Sequence, residues 1–177
     1  MKFTETVIPG AWVIEPEFHR DERGSFARTF DAVEFRARGL DDRAVQESVS
    51  YNPRTGTLRG LHYQAPPHEE AKLVRCSRGA ILDVIVDLRP GLATNRRWFS
   101  VELDAGTARM LYVPEGVAHG FQTLTDDTEV HYRMNREYAP EYARGVRWND
   151  PSLGVEWPPA ERIISERDRR LSLLDDG

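Results

Sequence analysis

The sequence has few cysteines, lacks long apolar runs and contains no common cofactor-binding motif. Its 177 residues include one cysteine, Cys76, which cannot form a disulfide within the chain, so a reducing cytoplasm is expected. No apolar run approaches the roughly 20 residues that span a bilayer, and the N-terminus lacks the apolar segment of a signal peptide. We therefore expect no association with a membrane.

The charge balance also limits the classes of partner. A net charge of −5, with 30% of residues charged, argues against nucleic acid as a partner. The sequence has no nicotinamide fingerprint, phosphate loop or nucleophile elbow, so no cofactor is implied. The length suits a single domain spanning residues 1–177, and the proline, tryptophan and turn residues from about 139 onward predict an irregular or helical extension.

Short alternating segments predict an all-β protein. They recur about every ten residues with little helical pattern between them, which is typical of an antiparallel sandwich or small barrel. The predicted strands cover residues 11–14, 45–52, 81–89, 98–103, 109–113, 121–124 and 129–134. Helical spacing predicts a short helix over 31–40 with a glycine cap at Gly39, and another over 165–174 in which Ser165 and Asp168 form a capping box.

Strand alternation also assigns side chains to faces. In 81–89, Leu82, Val84, Val86 and Leu88 share one face, whereas Asp83, Asp87 and Arg89 take the other. In the strand ending at Met134, Tyr132 lies on the apolar face, so its hydroxyl group is expected to be buried and hydrogen-bonded. Cys76 is predicted to be a buried small hydrophobe.

The stretch from Leu58 to Gly79 carries the most suggestive chemistry. It contains His62 and Lys72 on two apolar runs joined by a turn at Pro66-Pro67. If the runs pair as a hairpin about Pro67, His62 faces Lys72 with their Cβ atoms about 5 Å apart. A base beside a cation suits the removal of a proton and the stabilisation of the resulting negative charge.

A metal site is one alternative for these histidines. Residues 114–119, PEGVAH, match the second signature of metal-binding cupins, in which the histidine is a ligand. The first signature needs two histidines one residue apart and a glutamate, but this chain offers only His62, with His68 beyond it in a proline turn. A catalytic metal usually needs three protein ligands.

Metal-free acid–base chemistry is the second alternative. Removing a proton next to a ketone requires a base and a fixed positive charge, and inversion of the carbon also requires an acid on the opposite face. His62, Lys72 and Tyr132 could supply these three groups. From local sequence alone, the alternative is that His62 is a structural core histidine and Lys72 an edge-strand charge.

A family resemblance covers nearly the whole chain, from about residue 5 to 170. The sequence resembles the dTDP-4-dehydrorhamnose 3,5-epimerases, which are cupin-like sugar-nucleotide epimerases. The motifs that carry the resemblance, in order, are DERGSFARTF, TLRGLHYQ, AKLVRCSRGAILDVIVDLRPG, LYVPEGVAHGFQTL, EVHYRMNREYAP, RGVRWNDPSLGVEWP and ISERD. The resemblance implies an antiparallel jelly roll with a few short peripheral helices.

The resemblance also implies a homodimer, a nucleotide-diphosphate sugar as substrate and a set of roles. By position, His62 matches the family's base, Asp168 the carboxylate that holds it, Lys72 the lysine near the sugar carbonyl, and Tyr132 the acid. An early strand is expected to cross to the partner subunit. The positions that match the substrate-binding end are Arg23, Phe26, Gln46, Arg59 and Tyr138, with His119 as a second pocket histidine; no metal is implied.

Several positions depart from the family pattern. Arg28 and Ser48 stand where many members carry glutamate and asparagine, and the loop before Leu58 is one residue longer. These sites belong to the ligand-binding end. They leave open which nucleotide and sugar are bound, and whether one carbon is inverted or two. A 3- or 5-monoepimerase and a non-catalytic or metal-binding cupin are the remaining alternatives.

Overall fold

Short strands dominate the computed structural model, which describes residues 1–174. The strands are β1 (Lys2–Glu5), β2 (Trp12–Glu15), β3 (Phe18–Asp21), β4 (Gly24–Ala27), β5 (Gln46–Asn52), β6 (Thr57–Gln64), β7 (Lys72–Arg78), β8 (Ala80–Asp87), β9 (Trp98–Asp104), β10 (Met110–Val113), β11 (Val117–Thr123), β12 (Thr128–Met134), β13 (Ala143–Gly145) and β14 (Ile163–Ile164). The helical elements are α1 (Ala32–Arg36), α2 (Glu166–Arg169) and a 3-10 turn at Pro140–Tyr142.

Two sheets make up the body of the fold. One has the strand order β1-β2-β10-β7-β12-β5, and the other has the order β13-β6-β11-β8-β9, with β14 added in parallel beside β6. Their inner faces pack together through apolar side chains such as Val74 and Val130 from the first sheet and Ile85 and Phe121 from the second. The predicted all-β, cupin-like antiparallel jelly roll is confirmed.

Strand β8 is buried on both faces. Val84 and Val86 pack outward against the C-terminal segment, where they contact a cluster that includes Val146 and Leu153. The opposite face carries Asp83 into the interior, and its side chain is fully buried. The predicted division of faces is confirmed, and the acidic face proves to be the one that points between the sheets.

The predicted hairpin between the His62 and Lys72 runs is wrong. Strand β6, which carries His62, pairs with β11, β13 and β14, whereas β7, which begins at Lys72, pairs with β10 and β12. Because both edges of β6 already have hydrogen-bond partners in its own sheet, β7 cannot pair with it. The connection through residues 65–71 instead crosses from one sheet to the other.

Both helices are shorter than predicted. Asp31 caps α1 by accepting from the N–H groups of Val33 and Glu34, but the helix ends at Arg36 and a turn follows to Gly39, whose φ is +71°. Helix α2 ends at Arg169, and the carbonyl of Ser172 then accepts a hydrogen bond from the N–H of Arg147 at 3.1 Å. This tertiary hydrogen bond diverts the chain from the helical path that the pattern predicts over 165–174.

Candidate active site

Strand β6 and helix α2 bring together a histidine and an aspartate that are far apart in sequence. The His62 Nε2 atom lies 2.7 Å from Asp168 Oδ1. Ser165 caps the helix by accepting from the N–H of Asp168 at 3.1 Å, which is half of the predicted capping box. The carboxylate of Asp168 extends to the histidine, and its Oδ2 accepts from the N–H of Gly60 at 3.3 Å.

A close approach of two strands shapes the backbone beside this pair. Gly60 has φ +130°, and a Cβ atom there would stand 2.5 Å from the Cα of Gly120 on β11. Only glycine fits such a contact at this backbone angle. The approach presents the Gly60 N–H to Asp168, so the glycine helps to hold the carboxylate.

The Asp168 carboxyl group is ionised despite its burial. Burial by itself would raise its pKa, but hydrogen bonds from His62 and the Gly60 N–H, together with the His62 charge, hold the pKa below the ordinary aspartate value. An ionised carboxylate only accepts hydrogen bonds, so the proton between the two groups is assigned to His62 Nε2. This tautomer leaves Nδ1 as the basic nitrogen of His62.

His62 opens onto a cavity of about 640 Å³ between the two sheets. Its side chain is 39% exposed, whereas that of Asp168 is 6% exposed, so the aspartate supports the histidine from behind. The residues that line the cavity are Gln46, Glu47, Ser48, His62, Tyr63, Gln64, Glu70, Lys72, Tyr132, Met134, Tyr138, Ala143, Arg144 and Arg167.

Lys72 reaches the same cavity from the other sheet. Its Nζ atom lies 3.4 Å from the backbone oxygen of His62 and 3.0 Å from Glu70 Oε1. The expected neighbourhood of base and cation is therefore present, although the two residues meet across the interior and not along a hairpin. The ammonium group can stabilise an oxyanion that forms in the cavity.

Tyr132 lines the cavity from β12, in the sheet opposite to His62. Burial, and then the negative charge of Asp83, raise the pKa of its phenol well above the ordinary value, with Arg59 acting in the opposite direction. The phenol is therefore protonated at neutral pH and can donate a proton. An aspartate-supported histidine and a protonated phenol thus stand on opposite walls of one cavity.

A second histidine–aspartate pair lies beside the first. His119 Nε2 is 2.6 Å from Asp83 Oδ1, and the two side chains are 5% and 0% exposed. His119 stands directly opposite His62 on the neighbouring strand, and its ring packs edge-on against Tyr132 at 6.0 Å between centroids. It does not line the cavity itself.

Two of the predicted nucleotide-end residues meet at the mouth of the cavity. Gln46 Oε1 accepts a hydrogen bond from the N–H of Tyr138 at 2.9 Å, and the Tyr138 side chain is 52% exposed. Arg59 lies outside the lining, where its Nε donates to Asn52 Oδ1 at 2.8 Å.

Arg23 and Phe26 lie apart from the cavity. They belong to the separate hairpin of β3 and β4. The Arg23 Nη2 atom binds Asp21 Oδ2 at 2.5 Å, and Phe26 is 70% exposed. Arg28, one of the departures from the family pattern, pairs with Asp31 at 2.7 Å. The other departure, Ser48, lines the cavity and stands opposite Tyr132 on the neighbouring strand.

Two acidic residues of this region were not predicted as site residues. Asp83 could have been found, because it lies between apolar residues in the middle of a strand, where a buried carboxylate must have a partner. Glu70 could not, because it follows a proline turn whose path the sequence leaves open. His68 turns away from the cavity and stacks on Tyr142, with 4.2 Å between ring centroids.

Within residues 1–174, no group of three or more histidine, cysteine, aspartate or glutamate side chains is arranged to hold a metal ion. None of the helices in that range has the length and apolar character that crossing a membrane requires. Cys76 is buried, as predicted, and burial raises the pKa of its thiol to about 11. The thiol is therefore protonated at neutral pH and is not a nucleophile.

A jelly roll that surrounds a supported histidine, a lysine and a protonated tyrosine belongs to the class of acid–base enzymes with a cupin-like fold. Comparison with known proteins identifies the family. The family model for dTDP-4-dehydrorhamnose 3,5-epimerase matches residues 5–176. The chain belongs to this family of isomerases.

Individual relatives agree with this assignment. A dTDP-4-dehydrorhamnose 3,5-epimerase from Methanothermobacter thermautotrophicus is 44% identical, over 99% of this chain and 96% of the relative. The crystal structure of the Bacillus anthracis enzyme with TDP and PPi bound is 40% identical, with a TM-score of 0.94 over 98% of this chain and 99% of the other. A 3'-monoepimerase from Streptomyces bikiniensis in complex with dTDP-quinovose is 39% identical, with a TM-score of 0.88 over 95% and 85% of the two chains.

Proposed function

We propose that this protein converts dTDP-4-dehydro-6-deoxy-D-glucose to dTDP-4-dehydro-L-rhamnose by inverting C3 and C5. The observation that carries the proposal is the cavity in which the His62–Asp168 pair faces Tyr132 from the opposite sheet. The family relationship supplies the substrate class, and the site supplies the groups that the reaction needs. No cofactor takes part in the proposed chemistry.

The proposed reaction has two proton transfers at each carbon. C3 and C5 both flank the C4 ketone, so the same carbonyl acidifies both protons. His62 Nδ1 takes a proton from the carbon, and the electron pair moves onto the C4 oxygen to form an enolate. Lys72 stabilises that oxygen, while ionised Asp168 stabilises the imidazolium. Tyr132 then donates a proton to the opposite face of the carbon, which inverts it.

The mouth of the cavity is proposed to hold the nucleotide. Tyr138 offers an exposed aromatic face for a base, and Gln46 holds its backbone. Arg59 and Arg23 are proposed for the diphosphate, since a guanidinium group binds phosphate oxygens in a forked geometry. His119 is proposed to act at the sugar end through Tyr132, against which its ring packs.

A homodimer is proposed to complete this site. Arg23 and Phe26 lie on an exposed hairpin that belongs to neither large sheet. Both match substrate-binding positions of the family, yet neither lines the cavity of its own subunit. We infer that the hairpin extends into the cavity of the partner subunit. Light scattering together with activity tests this point, because an active monomer would contradict it.

The remaining proposals concern the chain as a whole. Residues 1–177 are proposed to act as one domain, with the segment from about 139 contributing strands and the helix that carries Asp168. A cytoplasmic location is proposed because the one cysteine is a free, buried thiol.

A 3-monoepimerase is the second candidate function. It is favoured by the likeness to the Streptomyces bikiniensis enzyme and by Ser48, which departs from the family pattern and stands opposite Tyr132. Small shifts of the ring relative to the acid would decide between one inversion and two.

Proton NMR in D2O with dTDP-4-keto-6-deoxyglucose tests both candidates. Deuterium at C3 and C5 with inversion at both carbons is expected. Exchange and inversion at C3 alone would establish the monoepimerase, and no exchange at either carbon would contradict both candidates for this substrate.

A further inference from the structure

Glu70 lines the cavity and forms a buried ion pair with Lys72, but it has no role in the proposed proton transfers. Glu70 Oε1 lies 3.0 Å from Lys72 Nζ, and the two side chains are only 10% and 11% exposed. Both residues line the cavity. Because both charges are largely shielded from solvent, salt screens this pair far less than it screens a surface ion pair.

The backbone that carries Glu70 is held in place. The next residue, Ala71, donates its N–H to Asn135 Oδ1 at 2.7 Å, and its carbonyl accepts from the Asn135 N–H at 3.3 Å. Asn135 directly follows β12. Glu70 therefore directly precedes a residue whose N–H and carbonyl are both tied to the end of the strand carrying Tyr132.

Two contacts limit where the Lys72 ammonium group can stand. Its Nζ atom forms an ion pair with Glu70 Oε1 at 3.0 Å and donates a hydrogen bond to the backbone oxygen of His62 at 3.4 Å. An ammonium group has three N–H donors, so these contacts do not use up its donors. They restrict the position of the Nζ atom although the lysine side chain has four rotatable bonds.

Buried Asp83 offers Lys72 a competing acceptor. Its Oδ2 has no hydrogen-bond partner within residues 1–174, and Lys72 is close enough to lower the pKa of this carboxyl group. Without Glu70, the ammonium group could turn toward Asp83 and away from the cavity, because an unpaired buried charge is drawn to the nearest opposite charge.

We propose that Glu70 is the positioning residue for Lys72 and holds its ammonium group where an N–H donor can reach the C4 oxygen of the sugar. The inference rests on the proposed epimerase function and adds a residue to it. Glu70 acts through the lysine and does not itself touch the reacting carbons. Since C3 and C5 share one carbonyl, losing this alignment slows proton abstraction at both carbons by the same factor.

A double-mutant cycle with Glu70→Ala and Lys72→Met tests the proposal, with hydrogen–deuterium exchange at C3 and C5 as the measurement. Glu70→Ala in the otherwise native protein is expected to slow exchange at both carbons by about 10-fold, with KM changed by less than about two-fold. In the Lys72→Met background the same substitution is expected to cost less than about two-fold, because the residue it acts through is absent. Equal losses in the two backgrounds would overturn the proposal.

Glu70→Gln provides the conservative variant, since its amide oxygen can occupy the same place beside the Lys72 Nζ atom. It is expected to recover exchange to within about three-fold of the native rate, because position and not charge is the main requirement. A glutamine variant as slow as the alanine variant would contradict this. Glu69→Ala is the matched control: it removes a charge from the same loop, at a residue that does not line the cavity, and is expected to keep native exchange.

Thermal unfolding of each variant separates loss of activity from loss of folding, and the glutamine variant keeps the test informative if the alanine variant is unstable. Exchange measured with the native protein distinguishes failure of the proposed function from failure of the positioning role of Glu70. If it shows no exchange with this substrate, the proposed function fails. If it exchanges normally and Glu70→Ala does too, the positioning role alone is wrong.

Discussion

The two histidine–aspartate pairs of this molecule share a geometry and differ in surroundings. His62–Asp168 and His119–Asp83 have Nε2–Oδ1 distances of 2.7 and 2.6 Å, and the two histidines stand opposite each other on neighbouring strands. The His62 side chain is 39% exposed to the cavity, whereas that of His119 is 5% exposed. A proton can therefore reach the first histidine from a substrate, but the second is enclosed.

The carboxyl groups of the two pairs also differ. Hydrogen bonds from His62 and the Gly60 N–H outweigh the burial of Asp168 and keep its pKa low. Within residues 1–174, no backbone N–H donates to Asp83. Burial raises its pKa, although the charge and hydrogen bond of His119 oppose the shift. The backbone donor at Asp168 thus favours the ionised carboxylate, which is the form that stabilises an imidazolium.

The largest expected effect separates the two histidines. His62→Ala is expected to lower kcat by about 10³- to 10⁴-fold, because it removes the base. His119→Ala leaves Asp83 unpaired and is expected to destabilise the fold by roughly 1–3 kcal/mol, with a loss of kcat at least about 10-fold smaller than for His62→Ala. Steady-state kinetics and thermal unfolding of both variants provide the comparison. Equal losses of kcat would erase the distinction between the pairs.

Tyr132 packs against His119 of the buried pair and also lines the cavity. Removing its hydroxyl group is expected to separate proton exchange from inversion. Tyr132→Phe is expected to lower the rate of inversion by about 10²-fold, because it removes the acid. His62 remains able to take a proton and return deuterium from the same face. NMR in D2O should therefore show exchange without inversion. Inversion at the native rate would exclude Tyr132 as the acid.

The two aspartates should respond differently to an isosteric change. Asp168→Asn is expected to lower kcat by about 10²-fold, since an amide cannot stabilise the imidazolium and can favour the wrong tautomer. Asp83→Asn is expected to cost less than about 10-fold, since its partner His119 does not line the cavity. Parallel kinetics of the two variants test this, and a larger loss for Asp83→Asn would reverse the roles.

The smallest expected effect is on stability as a function of pH. Asp168 has a lowered pKa in the folded state, so it stabilises the fold above its unfolded pKa, and this contribution disappears as the pH falls through the folded value. Asp83 has a raised pKa, so its contribution is present in acid and is lost as the pH rises through the folded value. Relative to the native protein, Asp168→Asn is expected to be less stable at pH 7 by roughly 1 kcal/mol. Asp83→Asn is expected to show no loss of stability at that pH.

Chemical unfolding at pH 7 and pH 4 measures this contrast. The loss in free energy of unfolding caused by Asp168→Asn should be smaller at pH 4 than at pH 7. Any increase in the free energy of unfolding caused by Asp83→Asn should also be smaller at pH 4. If both variants lost stability to the same extent at both pH values, the two carboxyl groups would have equivalent environments. That result would contradict the structural comparison.

Local sequence determined much of the strand layout and part of the site. Alternation located the strands that carry Asp83 and Tyr132 and assigned their faces correctly, because the period of two is a property of the strand itself. The family resemblance supplied Asp168, for which the local pattern indicated only a helix cap. That cap exists, with Ser165 accepting from the Asp168 N–H.

Only the tertiary structure decided which strands pair and which charges meet. His62 and Lys72 were expected in one hairpin, but they lie in opposite sheets and meet across the cavity. Asp168 reaches His62 from 106 residues away in sequence, and Glu70 reaches Lys72 because Ala71 is tied to Asn135. The physical reason is that strand spans and faces follow from local side-chain order, whereas pairing depends on which edges remain free once the whole chain is packed.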